Sequence, residues 1–287
     1  MNVIERSADK ADALSAYDEG FTIHEACVSD PRFSYSLYVP KSACADGVQT
    51  RLIVAVHGTG RRFEDTLHVL AHFGRWNDCI ILCPLFPAGI QGDRNIDGYK
   101  YMIEGDIRYD LVLISMVDEI SRRYGLDFSK FLLCGFSGGG HFAHRFLLLH
   151  PDRLAACSIG APGSVTLIDP TRPWWVGTQD VPQVFGAPID LEALKQVPVH
   201  MAVGSVDLET WQITHKPGSR YFIEGANDAG ITRPERIVAL HKSFEDNGIN
   251  CALETIPGAA HDEKRYYDRV QEFFAQILRP TATGSAT

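Results

Sequence analysis

Short runs of consecutive apolar residues recur along this chain, separated by stretches in which apolar residues return every third or fourth position. Residues 52–56 (LIVAV), 79–85 (CIILCPL) and 131–134 (FLLC) are runs of the first kind, and 154–159, 197–203 and 251–256 read as further short strands. The continuous apolar character of 52–56 and 79–85 predicts strands buried on both faces, as in a parallel sheet. Residues 62–73, 109–124, 139–150, 234–246 and 263–278 are of the second kind and predict helices. In 109–124, for example, Leu111, Ile114, Val117 and Ile120 fall on one helical face. Strands and helices in alternation predict an α/β domain, a mainly parallel sheet with helices on both faces. Two extended runs at 21–28 and 33–39, joined through Ser29, Asp30 and Pro31, predict an antiparallel hairpin at one edge.

Two segments break the alternation. Residues 89–105 carry the glycines and aspartates of a loop, and residues 161–196 are rich in Pro, Gly and Trp. An irregular stretch as long as 161–196, well beyond roughly 15 residues, is usually functional in a compact domain, and here a lid over the site is expected. The organisation expected is an extension at 1–20, one domain at 21–278 with 161–196 as a lid-like insertion, and a flexible polar tail at 279–287. A chain of 287 residues suffices for one large core.

Composition narrows the partners. The formal charge is -9, with no concentrated basic stretch, which argues against nucleic acid and anionic membranes. No run reaches the roughly 18 apolar residues of a membrane span. Residues 1–20 hold Glu5, Asp9, Asp12, Asp18 and Glu19 instead of the apolar core of a secretory signal. The 7 cysteines form no CxxC pair and no metal-ligand spacing, and most lie inside apolar runs. A reduced, cytoplasmic protein is the expectation.

The candidate chemistry centres on Gly135-Phe136-Ser137-Gly138-Gly139, between the strand at 131–134 and the helix that follows. A serine on a tight strand-to-helix turn presents its hydroxyl above the sheet, with glycines allowing the strained backbone. A serine hydroxyl needs a base. Of eleven histidines, His261 follows the last strand, in a loop that opens at the carboxyl edge of the sheet, the same edge as Ser137. His215 is a weaker competitor; His141, His144 and His150 belong to the helix behind the serine and are expected to point elsewhere. Asp207, just after the strand at 197–203, is the favoured carboxylate to orient the base, with Glu209 and Asp262 as alternatives. The order Ser, Asp, His differs from that of the two other familiar serine-protease arrangements. His57-Gly58-Thr59-Gly60 follows the strand at 52–56, and the N–H of Thr59 is expected to join that of Gly138 in an oxyanion hole, with His57 structural. Phe136, Trp174, Trp175 and Arg61 are candidate substrate-binding residues, the tryptophans as an aromatic wall or lid, Arg61 as a partner for a substrate carboxylate.

The motifs VAVHGTG at 54–60, GFSGGG at 135–140, VGSVD at 203–207 and GAAHD at 258–262 resemble those of the α/β-hydrolases, over nearly the whole of 21–278. The H-G-x-G turn and the lack of a large helical cap are similar to the carboxylesterase and polyester-depolymerase-like branches. The resemblance implies an eight-stranded, mostly parallel sheet, a Ser-His-Asp triad and no metal or organic cofactor. It implies a serine esterase for a small organic ester, through an acyl-enzyme. The same residues would also suit amide, peptide or C–C bond hydrolysis or acyl transfer. A small-molecule binding protein without turnover is the further alternative.

Overall fold

The computed structural model describes residues 14–279. The expected extension lies mostly, and the expected tail almost wholly, outside them. The elements run β1 (Gly20–Phe21), β2 (Glu25–Ala26), β3 (Ser34–Val39), β4 (Arg51–Val56), α1 (Phe63–Trp76) and β5 (Cys79–Leu85). A short ribbon of β6 (Ile103–Glu104) and β7 (Ile107–Arg108) then leads to α2 (Tyr109–Tyr124), β8 (Phe131–Phe136), α3 (Gly138–Leu149) and β9 (Leu154–Gly160). The last part holds α4 (Val181–Phe185), α5 (Leu191–Leu194), β10 (Val199–Gly204), α6 (Arg233–Asp246), β11 (Cys251–Ile256) and α7 (Glu263–Leu278).

The main sheet has the order β1-β3-β5-β4-β8-β9-β10-β11, with β2 also on β3. From β5 to β11 every pairing is parallel; β3 is antiparallel to β5, and β1 and β2 are antiparallel to β3. The sheet therefore has nine strands rather than eight, because the first extended run is broken into β1 and β2, which share the β3 edge. In β4 and β8 every residue but Arg51 is buried, as the unbroken apolar runs require when helices cover both faces. Helices α1 and α7 pack on one face, and α3 and α6 on the other. The Phe86 ring after β5 lies against Tyr109 of α2 and Phe142 of α3, at 5.5 and 5.3 Å between centroids. No described helix is long and apolar enough to cross a membrane, and all seven cysteines are free thiols.

This topology gathers the candidate residues at one edge. The parallel strands β4, β8, β10 and β11 all end on that side, and His57, Ser137, Asp207 and His261 follow those ends within a few residues.

Candidate active site

Ser137 sits between β8 and α3 with φ 55° and ψ −114°, a conformation that costs a non-glycine residue on the order of 1–3 kcal/mol. The surroundings impose it. The Ser137 N–H donates to the Gly160 carbonyl at 2.8 Å, and the Ser137 carbonyl accepts from the His141 N–H at 3.0 Å, opening α3 at once. A side chain at Gly139 would collide with the Val56 carbonyl, so only glycine lets α3 press onto the end of β4. That close approach also brings the turn at 57–60 against the serine. A Cβ at Gly58 would lie 3.7 Å from the Ser137 Cβ, and one at Gly138 would lie 2.9 Å from the Thr59 nitrogen. The backbones of Thr59 and Gly138 thus meet beside the hydroxyl.

The turn is held from behind by His57. Its Nε2 accepts the Phe86 N–H at 3.0 Å, so Nδ1 carries the proton and donates to the Gly58 carbonyl at 2.8 Å. Full burial pushes the His57 pKa down to about 3, with the Arg61 charge acting in the same direction. Arg61 is engaged with backbone. Its guanidinium donates to the carbonyls of Phe86, Thr59 and Ile96 at 3.2, 2.6 and 2.7 Å, over the Tyr99 ring. It is absent from the cleft lining, where Arg62 takes a place instead.

On the other side of the serine, His261 Nδ1 lies 2.7 Å from Asp207 Oδ2. Asp207 is buried, and its second oxygen accepts from Arg233 Nη1 at 3.0 Å. The carboxylate is therefore held at both oxygens, one by the imidazole and one by a buried guanidinium. The alternatives to Asp207 are occupied elsewhere. Asp262 caps α7 by accepting the Arg265 N–H at 3.1 Å, and Glu209 is exposed, presenting only its carbonyl to Arg233. The Phe136 ring packs on the His261 ring at 4.5 Å between centroids and also faces the cleft.

Ser137, His261, Thr59 and Phe136 open together onto a cleft of about 1170 Å³. No hydrogen bond joins the Ser137 hydroxyl to His261 among the described residues. The cleft wall differs from the expected one. Of segment 161–196 only Gly163 reaches it; Trp211, Gln212, Ile213 and His215, from the loop between β10 and α6, form the wall. Trp174 and Trp175 are turned into a cluster with Tyr101, Tyr221 and Ala226, donating to the carbonyls of Tyr101 and Tyr221 at 3.2 and 3.0 Å. They pin the two long loops together and do not line the cleft.

His141 corrects a further expectation. It lies four positions after Ser137 on α3, hence on the same side, and it borders the cleft. Its ring accepts the Gly163 N–H at 2.7 Å, which leaves Nδ1 to donate to Ser164 Oγ at 2.9 Å. Burial and the nearby Lys100 and Arg145 charges hold its pKa well below the usual value, so it is a neutral wall residue. Arg233 went unread because it stands at the very start of α6. A cation there opposes the helix dipole, and that conflict is the signal that an anion must lie close by.

No protein-family model and no curated protein matches the sequence. Solved structures do resemble the fold. Poly(aspartic acid) hydrolase-1 from Sphingomonas sp. KT-1 superposes with a TM-score of 0.67 at 20% identity, covering 84% of this chain and 92% of that one. The poly(3-hydroxybutyrate) depolymerase of Bordetella parapertussis gives 0.67 at 19% identity, with coverage of 87% and 88%. An S-formylglutathione hydrolase from Agrobacterium tumefaciens gives 0.56 at 16%, with coverage of 86% and 89%. With these likenesses and the sheet order above, the fold of this chain is the α/β-hydrolase fold.

Proposed function

We propose that the protein is a serine hydrolase that cleaves a carboxylic ester of a small organic molecule. The observation that carries this reading is the 2.7 Å contact of His261 with buried Asp207, on a cleft that also receives the strained Ser137. Asp207 holds the His261 ring with Nδ1 protonated, leaving Nε2 as the free base. His261 takes the Ser137 proton as Oγ attacks the ester carbonyl. The N–H groups of Thr59 and Gly138 receive the developing oxyanion, and α3 presents its amino terminus to the same charge. The alcohol leaves with the proton from His261, and a water activated by the same ring releases the acid from the acyl-enzyme. The solved structures of similar fold are named as hydrolases, a depolymerase and esterases, which supports hydrolysis without selecting the substrate. The test is labelling with an alkyl fluorophosphonate and mapping the adduct by mass spectrometry. The adduct is expected on Ser137. Undiminished turnover of a p-nitrophenyl ester by Ser137→Ala would remove this assignment.

A further inference from the structure

The inner end of the cleft is unusually positive for a chain of net charge -9. Lys100 lines it, nearly buried, with its Cε 3.0 Å from where a Gly138 Cβ would stand, hence beside the oxyanion site. Directly behind the wall lie two more buried cations, Arg145 and Arg236. Arg145 donates to Thr166 Oγ1, the Lys100 carbonyl and Ser164 Oγ at 2.9, 2.5 and 3.0 Å. Arg236 donates to the carbonyls of Gly230, Gly163 and Ile213 and to Asn227 Oδ1. None of these acceptors is a carboxylate. Against the three cations stands Asp97, 2.5 Å from Lys100 Nζ and partly exposed. Glu235, next to Arg236 in sequence, is drawn to the cap of α6, accepting the N–H groups of Ile231 and Thr232.

The distribution of acceptors points the same way. The carbonyls of Lys100, Gly163 and Ile213, which belong to cleft residues, are engaged by the guanidinium groups behind them. What remains toward the cleft is the Lys100 ammonium, with Asp97 as its one carboxylate partner there, and the Tyr101 hydroxyl, beside the ring of His215. Of the other cleft carboxylates, Asp65 and Glu263 both pair with Arg62, and Asp262 caps α7. Buried cations in excess of anions call for an anion to complete them, and a substrate can supply it.

We propose that this inner end binds a carboxylate carried by the substrate, and that the preferred substrates are half-esters of short dicarboxylic acids. The inference rests on the serine-hydrolase reading and adds to it the substrate class. The spacer is short because Lys100 packs against Gly138, so that the carboxylate lies only a few atoms from the scissile carbonyl.

The test compares monomethyl succinate with methyl butyrate, acid release being followed in a pH-stat. Wild-type kcat/KM is expected to favour the charged ester by about 10- to 100-fold, the range for one charge-assisted hydrogen bond. In Lys100→Met that ratio is expected to fall toward one, while Lys100→Arg retains a preference for the charged ester. Equal or faster cleavage of methyl butyrate by the wild type overturns the proposal, as does a Lys100→Met variant that slows both esters equally. Should Lys100→Met not fold, the wild-type ratio decides alone. Should neither ester be cleaved and Ser137 remain unlabelled, the hydrolase reading fails. Titration calorimetry of the wild type with succinate then decides the anion site, saturable binding supporting it and its absence refuting it.

Discussion

Acidifying the protein from pH 7 to pH 5 is expected to remove a large part of its stability, because several histidines are buried as neutral rings. His57, His141 and His144 share one arrangement. Each accepts a backbone N–H at Nε2, from Phe86, Gly163 and Thr166, at 3.0, 2.7 and 3.1 Å. Each therefore keeps its proton on Nδ1, which donates to Gly58 O, Ser164 Oγ and Gly140 O. A second proton would place two donors face to face. Burial lowers the His57 pKa to about 3, aided by Arg61, and the His200 pKa to about 4, aided by Arg269. Burial and neighbouring cations hold His141 and His144 well below the usual value.

The sign follows from proton uptake. Below pH 6.5 the unfolded chain protonates these rings and the folded chain resists it, so stability falls with pH, for His57 and His200 until their folded values of about 3 and about 4 are reached. Above pH 6.5 they contribute no pH dependence. For an unfolded value of about 6.5, His57 and His200 each cost about 2 kcal/mol at pH 5, and His141 and His144 act in the same direction. Those two alone make up a large share of the ~5–15 kcal/mol that holds a domain together. Urea unfolding at pH 7.5, 6.5, 5.5 and 5 measures it. A loss of under about 2 kcal/mol between pH 7 and 5, one ring's worth, would refute the reasoning.

Two further perturbations probe the frame of the site. Gly139→Ala places a Cβ in the Val56 carbonyl, a backbone group that cannot rotate away, so α3 must leave β4. Soluble yield and fluorophosphonate labelling are both expected to collapse, and a folded, labelled variant would show that the turn after Ser137 tolerates a side chain. Arg233→Met removes the cation from Asp207 Oδ1 in a pair whose side chains are 2% and 0% exposed. Breaking such a pair from one side costs about 3–5 kcal/mol. A urea midpoint equivalent to less than about 1 kcal/mol of loss would mean that Asp207 is supported by His261 alone.

How much of this was legible in the sequence depends on whether local chemistry or long-range packing decides a residue's place. The helices at 109–124 and 263–278 have the bounds read from periodicity, because a one-sided helical face has one way to be buried; the strand at 251–256 also has its expected bounds, although at the sheet edge it buries only Ile256. The strand ends then carry Ser137, Asp207 and His261 to one edge, since parallel order alone fixes which side they leave. The aromatic residues were a different matter. Trp174 and Trp211 stand on loops that leave the adjacent strands β9 and β10 at that same edge, both long and rich in turn formers. Nothing local separates them. Trp174 is taken inward by the Tyr101 carbonyl, 73 positions away, and Trp211 is left exposed on the cleft. Arg61 and Arg62 divide in the same way, for the Phe86 and Ile96 carbonyls claim the first and leave the second to the cleft. The chemistry of a hydrolase with this fold is written in motifs of a few residues at strand ends. The shape and charge of its cleft come from contacts across loops, and there Lys100, Arg145 and Arg236 had no motif by which to be read.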